Sequence, residues 1–316
     1  MTLPPVPPQR SYVVISPCRN EAAFMRRTLD SMVAQTLRPA LWVIVDDGST
    51  DATPEILAEY AAKHDWIRIL RKPDRGHRAV GPGVIEAFYA GYATIDPAAH
   101  AYLCKLDLDL DLPPGYFEEL VARMEANPRI GTCSGKPWFR TPDGRWVSEK
   151  ISDEMSVGMT KFYRTACFEE IDGFVRAVMW DGIDCLKARQ LGWIACSWDT
   201  PELRFEHLRP MGSSDKGVLT GRMRHGAGQY FMGSGPAFML ASVLYRMVHP
   251  PYVTGGLAMM WGYLRAALRG EQRLDDLELR RFIRAYQNRA LRVGKRRAIA
   301  EIEAERAPHW RGAQTG

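Results

Sequence analysis

Four times in succession a continuous apolar run is followed by a stretch with amphipathic helical spacing, and this alternation constrains the fold more than any other feature of the chain. Tyr12-Val13-Val14-Ile15-Ser16, Leu41-Trp42-Val43-Ile44-Val45, Trp66-Ile67-Arg68-Ile69-Leu70 and Ala101–Leu108 read as strands of a largely buried sheet. Asn20 is expected to cap a helix that carries Met25, Leu29, Met32 and Val33, and Asp51 one that carries Ile56, Leu57 and Tyr60. A third helix is expected near Val84–Ala93. A fourth follows Pro113-Pro114, with Phe117, Leu120, Val121 and Met124 on one side. Such an order predicts an α/β fold, a Rossmann-like and mostly parallel sheet flanked by helices.

Sheets of this kind bind ligands beyond the carboxyl ends of their strands. Three polar clusters stand at such ends: Arg19-Asn20-Glu21, Asp46-Asp47 and Asp107–Asp111. The fold would therefore collect them along one edge. The middle, Gly131 to Arg209, is less regular, with short strands expected at Ile194–Trp198 and Leu203–Phe205 and a helix at Asp184–Leu191. Beyond about Gly221 the character changes. No acidic residue occurs from Arg222 to Gly270, and the segment 222–316 holds sixteen Arg and Lys against seven Asp and Glu. Its charge of +9 leaves −4 for residues 1–221, given the net +5. The expected division is thus 1–221, an α/β unit, followed by a basic helical extension over 222–316. The six cysteines show no C-x-x-C pair, which argues against a zinc site or a disulfide framework. The proline-rich start, Pro4 to Pro8, lacks the apolar core of an export signal.

The residues that could carry chemistry fall in four places. Asp107-Leu108-Asp109-Leu110-Asp111 alternates carboxylates to one side of a strand end, where they repel unless a cation neutralises them. Oxygen donors suit magnesium or manganese; the plainer alternative is an exposed acidic strand backed by core leucines. Asp46-Asp47-Gly48 offers acceptors to a base or ribose, or else simply caps the following helix. Trp180-Asp181-Gly182-Ile183-Asp184 carries two carboxylates that could serve as a base or cap a helix. Glu206-His207-Leu208-Arg209 follows a short strand with a possible ligand and a planar donor fork for phosphate.

Ile15-Ser16-Pro17-Cys18-Arg19-Asn20-Glu21, Val45-Asp46-Asp47-Gly48-Ser49-Thr50-Asp51 and Lys105-Leu106-Asp107-Leu108-Asp109, in this order and spacing, resemble the inverting family 2 glycosyltransferases of the GT-A fold. The likeness covers about residues 11–210 and implies that 1–221 is a catalytic unit, with nucleotide binding in about 11–130 and the acceptor side in about 131–210. It implies that Asn20, Glu21, Asp46 and Asp47 meet the nucleotide of a nucleotide sugar, most often UDP-linked. Arg78, with Arg71 and Arg75 nearby, and Arg209 would meet the diphosphate. It further implies a divalent metal, Mn or Mg, at Asp107, Asp109 and His207, with Asp111 as an additional candidate, and Asp181 as catalytic base with Asp184 as fallback. Trp180 stands where the family carries an acid, so a nucleotide-sugar-binding protein without catalysis is one alternative. A polyprenyl-phosphate glycosyltransferase is another. A nucleotidyltransferase fits less well, because no glycine-rich basic loop lies between Tyr12 and Glu21.

In the tail, Pro236–Val248 and Tyr252–Leu268 are apolar but interrupted by Arg246, Pro250, Pro251 and Arg265. A span needs about twenty uninterrupted apolar residues. Helices of this kind, followed by an Arg-rich helix at about Asp275–Glu305, suit an anionic membrane surface; otherwise they pack on the protein or on a second subunit. The first reading places the chain in the cytoplasm, peripheral at the inner face of the membrane, with a saccharide acceptor that is lipid-linked, as in polysaccharide assembly. Nucleic acid is not an expected partner, since the basic tail carries no reading motif.

Overall fold

In the computed structural model, described for residues 9–74, 76, 81–209 and 217–312, the first part of the chain forms two sheets. The first is built on β1 (Tyr12–Cys18), β2 (Leu41–Asp46), β3 (Ile67–Arg71) and β4 (Tyr102–Leu106), the four apolar runs. β1 pairs in parallel with both β2 and β4, and β2 with β3. Between them run α1 (Met25–Val33), α2 (Thr53–Lys63) and α3 (Pro82–Tyr92). Alternate residues of β1 feed two cores. Tyr12 and Val14 pack with α1, α2 and a later helix, α4 (Tyr116–Ala126), while Val13 and Ile15 face α3. Phe117, Leu120, Val121 and Met124 are fully buried on α4.

The irregular middle is more ordered than its composition suggests. It contains β5 (Leu110–Asp111), β6 (Ile130–Ser134), β7 (Lys136–Arg140), β8 (Trp146–Ser148), β9 (Thr160–Arg164), α5 (Thr165–Glu170), α6 (Trp180–Gln190), β10 (Ile194–Ser197) and β11 (Arg204–His207). β9 inserts antiparallel between β4 and β6, giving the order β10-β6-β9-β4-β1-β2-β3. A second sheet, β5-β11-β7-β8, lies beside the ends of the first. The helix expected from Asp184 begins four residues earlier, at Trp180, and so places Asp181 in its first turn.

The tail folds as α7 (Val218–Phe231), α8 (Pro236–Met247), α9 (Tyr252–Leu268), α10 (Leu277–Val293) and α11 (Lys295–Arg306). The single Arg-rich helix expected there is two, broken at Gly294, whose φ is +83°. α7 and α9 cross in close contact because glycines meet backbone: a β-carbon on Gly226 would fall 1.9 Å from the Met259 carbonyl oxygen, and one on Gly262 would fall 2.0 Å from that of Met223. The two halves of the tail differ in how far their apolar residues are covered. Phe282, Ile283, Ile299 and Ile302 of α10 and α11 pack around Ile183 of α6, and Arg189 of α6 pairs with Glu303 at 3.1 Å. By contrast, Leu240, Leu244, Tyr245, Val248, Leu257 and Trp261 of the α8–α9 pair are each more than half exposed. Among the described residues no helix is long and apolar enough to cross a membrane.

Candidate active site

The loops after β1 and β2 are stitched together, and this presents two carboxylates. The Asn20 N–H donates to Ser49 Oγ at 2.9 Å, while Asn20 Oδ1 accepts from the Thr50 N–H at 2.8 Å. The Glu21 N–H donates to Thr53 Oγ1 at 2.9 Å and the Asp47 N–H to the Cys18 carbonyl at 2.9 Å. Gly48 makes the turn possible: its φ is +75°, and a β-carbon there would lie 2.4 Å from Asp74 Cα. Glu21 and Asp47 line the resulting cleft. Asn20 and Asp46 do not. Asn20 is the seam between the loops and not a helix cap, since α1 starts only at Met25. Asp46, 1% exposed, spends Oδ1 on the Ser49 N–H at 2.8 Å and so shapes the turn. Arg71 lies 3.5 Å from Asp46. Arg75 and Arg78 fall outside the described residues.

At the end of β4 the expected alternation holds, with Leu108, Leu110 and Leu112 buried opposite the carboxylates. Asp107 and Asp109 line the cleft, whereas Asp111 does not. β5 sets Asp111 opposite Glu206 on β11, where Arg27 of α1 binds both carboxylates and draws Asp111 away. Lys105, 2% exposed, donates to the Gly158 carbonyl at 2.9 Å and to Asp107. Arg209 reaches Asp109 at 2.7 Å and both Glu21 oxygens at 2.9 Å.

β11 delivers His207. Its Nδ1 lies 3.0 Å from Glu149 Oε1, which leaves Nε2 toward the cleft, 3.8 Å from Asp109. Burial alone would lower the imidazole pKa, but the contacts with Asp109 and Glu149 outweigh it and raise it to about 9. Burial would raise Asp109; the hydrogen bond and charge of His207, with Arg209, hold it below the usual carboxylate range. Glu149 had no mark in the sequence, being one of three acids, with Asp153 and Glu154, in the irregular stretch after β8. Lys105 was hidden inside an apolar strand.

Two carboxylates three residues apart on α6 have opposite settings. Asp181 lines the cleft, and burial, against the pull of Lys161, holds it above the usual carboxylate range. Such a shift suits a proton acceptor. Asp184 does not line the cleft. It is 2% exposed and receives both the Lys161 ammonium and the Tyr163 hydroxyl, so the expected fallback base is a structural counter-ion. Lys161 also donates to the Asp181 carbonyl at 2.8 Å. Trp180 packs on Phe174 at 4.8 Å, with Lys105 and Lys161 at 5.2 and 5.8 Å from its ring. The indole face thus sits against cations where an acid would otherwise pair with them.

Glu21, Asp47, Asp107, Asp109, Asp181, His207 and Arg209 therefore line one cleft of about 580 Å³, a size usual for small-molecule sites. Gly221, Arg224 and His225 of α7 add a wall that the sequence did not announce. No three His, Cys, Asp or Glu side chains converge at ligating distance among the described residues. The donor set nevertheless fits a hard divalent cation. Asp109 Oδ1 is buried without a hydrogen-bond partner among the described residues, and His207 is oriented by a carboxylate behind it, as metal-ligating histidines are.

The family profile described as "Glycosyl transferase family 2" matches residues 13–178, just over half of the chain. Among curated proteins, the putative glycosyltransferase EpsH of Bacillus subtilis is 26% identical over 162 residues, 51% of this chain and 43% of its own length. The poly-beta-1,6-N-acetyl-D-glucosamine synthase of Staphylococcus epidermidis is 27% identical over 124 residues, 39% of this chain and 27% of its own. The chain thus spans less than half the length of these relatives. Among solved structures, GalNAc-T7 with UDP, GalNAc and Mn2+ aligns with a TM-score of 0.55 at 16% identity, covering 95% of this chain and 58% of that one. S. aureus TarS 1–349 in complex with UDP-GlcNAc aligns at 0.50 and 13%, covering 94% and 90%. At such identities the likeness establishes the fold alone, which is the GT-A fold. The extent of the profile match and the ordered motifs give the conclusion that this chain belongs to family 2 of the glycosyltransferases.

Proposed function

We propose that the chain transfers a sugar from a nucleotide-sugar donor, UDP-linked, to a hydroxyl of a lipid-linked saccharide, with inversion at the anomeric carbon. The observation that carries this reading is the meeting of Glu21, Asp47, Asp109, Asp181 and Arg209 in one cleft. Glu21 and Asp47 accept hydrogen bonds from the base and ribose. Arg209 exchanges one of its carboxylate contacts for the diphosphate, which it grips as a planar fork. Asp107, Asp109 and His207 would hold manganese or magnesium, which supplies neutralisation of the departing diphosphate. Asp181 takes the proton of the acceptor hydroxyl from the far side of the sugar, and burial, by holding its pKa above the usual carboxylate range, makes it the stronger proton acceptor.

The acceptor is assigned as lipid-linked because of the tail. The apolar residues exposed on α8 and α9 lie in a segment, 222–270, that holds five arginines and no acid, which suits a shallow seat in an anionic membrane. The same reading puts the chain at the inner face of the cytoplasmic membrane, with residues 1–221 carrying the chemistry and 222–316 the contact with lipid. The relatives that take part in this reading include a polysaccharide synthase and a neighbour complexed with UDP-GlcNAc.

Titration calorimetry with UDP and GDP, each with manganese and with chelator, tests the donor side. UDP should bind in a metal-dependent way, and a screen of UDP-sugars should then release free UDP. Metal-independent UDP binding, or a clear preference for GDP, would overturn the donor assignment. Flotation with anionic vesicles tests the membrane part: Leu244→Asp with Trp261→Asp should abolish co-flotation, and unchanged flotation refutes it.

A further inference from the structure

Away from the carboxylates of the cleft, a group of cations gathers where α7, α8 and α9 meet. Arg222 and His225 are three residues apart on α7 and share a face, and Arg246 enters from the last turn of α8. The stem of Arg222 crosses the start of α9, its Cγ 3.9 Å from where a β-carbon on Gly255 would sit. The buried Arg222 Nε has no hydrogen-bond partner among the described residues, and neither Arg222 nor Arg246 has an ion-pair partner among them. The sequence offers no local acid from Arg222 to Gly270, and the first turn of α9, which carries the helix's partial positive charge, has no acidic side chain. The cations act on one another. Burial, then Arg246, holds Arg222 below its usual value; burial, then Arg246 and Arg222, pushes His225 down to about 4.

Two half-buried guanidiniums without a counter-ion among the described residues are costly unless an anion completes them. The surroundings say what kind of anion. On one side Gly221, Arg224 and His225 line the cleft; on the other, Leu244, Tyr245, Val248, Tyr252 and Val253 are exposed at the facing ends of α8 and α9. A charged head with a hydrocarbon chain fits both. We propose that Arg222 and Arg246 bind the phosphate or diphosphate of a lipid whose chain lies along the exposed ends of α8 and α9 and whose head group turns toward the cleft. The proposal rests on the transferase reading above only for what that head group carries.

The test is calorimetry of the full chain with farnesyl diphosphate, in saturating UDP and manganese so that the donor site is filled. The Arg222→Gln/Arg246→Gln double variant should bind this probe at least about tenfold more weakly, the size of one lost charge-assisted contact, with UDP affinity unchanged. Farnesol and inorganic pyrophosphate should each bind the unaltered chain more weakly than farnesyl diphosphate by a similar factor. Arg265→Gln/Arg269→Gln removes equal charge from the far end of α9 and should leave binding intact. Equal affinity in the first double variant, an equal loss in the second, or no binding by the unaltered chain overturns the site. Once the loss in the first variant is in hand, vesicles of phosphatidylcholine with phosphatidylglycerol tell the source. Lost co-flotation assigns the phosphate to bulk head groups, and retained co-flotation assigns it to a carried lipid diphosphate. Failure of the unaltered chain to bind UDP refutes the transferase reading alone, and the probe is then titrated without nucleotide.

Discussion

Asp181 and Asp184 are one helical turn apart on α6, and neutralising each should damage the protein in a different way. Asp184 shares its burial with Lys161, at 1% and 0% side-chain exposure, and also accepts from Tyr163. Asp184→Asn keeps one acceptor oxygen but leaves the ammonium without its counter-charge. Removing one partner of a buried pair costs about 3–5 kcal/mol, and the retained oxygen puts this variant near 3. With an unfolding entropy of about 2.1 cal/mol/K per residue over 316 residues, that loss lowers Tm by about 5 °C. Turnover per folded molecule should stay within about threefold, because Asp184 does not line the cleft. Asp181→Asn should show the reverse. Its carboxylate makes no hydrogen bond to another described side chain, so stability should change by less than about 1 kcal/mol. Loss of a general base should cut kcat by about 10²–10⁴ with UDP affinity preserved. Thermal unfolding and nucleotide-release assays on the two variants, side by side, decide the matter. A dead but fully stable Asp184→Asn, or an active Asp181→Asn, would refute the division of labour drawn from burial.

Three other outcomes follow from the cleft. Arg209→Gln should weaken UDP binding by about tenfold or more in manganese, since a charge-assisted contact is worth about 1.5–3 kcal/mol; calorimetry reads it. In chelator, His207 should make stability depend on pH. Its folded pKa of about 9 lies above the ordinary value of about 6.5, so the stabilisation is complete below about pH 6.5 and disappears as pH rises through about 9. The amount is on the order of 3 kcal/mol, and Glu149→Gln should shrink it in urea titrations taken across that range. Gly48→Ala forces a β-carbon onto the Asp74 backbone at positive φ, and should lower both Tm and UDP affinity by displacing Asp47.

The parts of the fold that could be read from sequence are those where one pattern governs a whole element. β1 and β2 are continuous apolar runs, β4 is apolar but for Lys105, the edge strand β3 keeps enough of the pattern through Ile67, Ile69 and Leu70, and α4 shows an unbroken stripe. β6 to β9 could not be read in this way. They are short, β9 is contributed antiparallel from a distant segment, and their neighbours are fixed only by tertiary pairing. In the site, strand ends that converge on one edge led to Glu21, Asp47, Asp107 and Asp109, while the resemblance to family 2 pointed to Asp181, His207 and Arg209. It failed where a polar side chain does local work. Asn20 and Asp46 satisfy loop amides, Asp111 answers Arg27, and Asp184 neutralises Lys161; each uses the same chemistry a ligand would need. Glu149 was illegible because a lone acid gains meaning only from the imidazole it meets.

The glycine-to-carbonyl crossing of α7 and α9 has a practical outcome for anyone who would cut the chain after residue 221. Such a cut removes Arg224 and His225 from the cleft, leaves Met179 without Gly228 beside it, and strips Ile183 of its cover on α6. What remains would be an opened cleft, and not merely a chain without its tail. Because the helix that walls the chemistry interlocks with the helix that carries Trp261, any force that seats the outer pair on a surface bears directly on the shape of the reaction chamber.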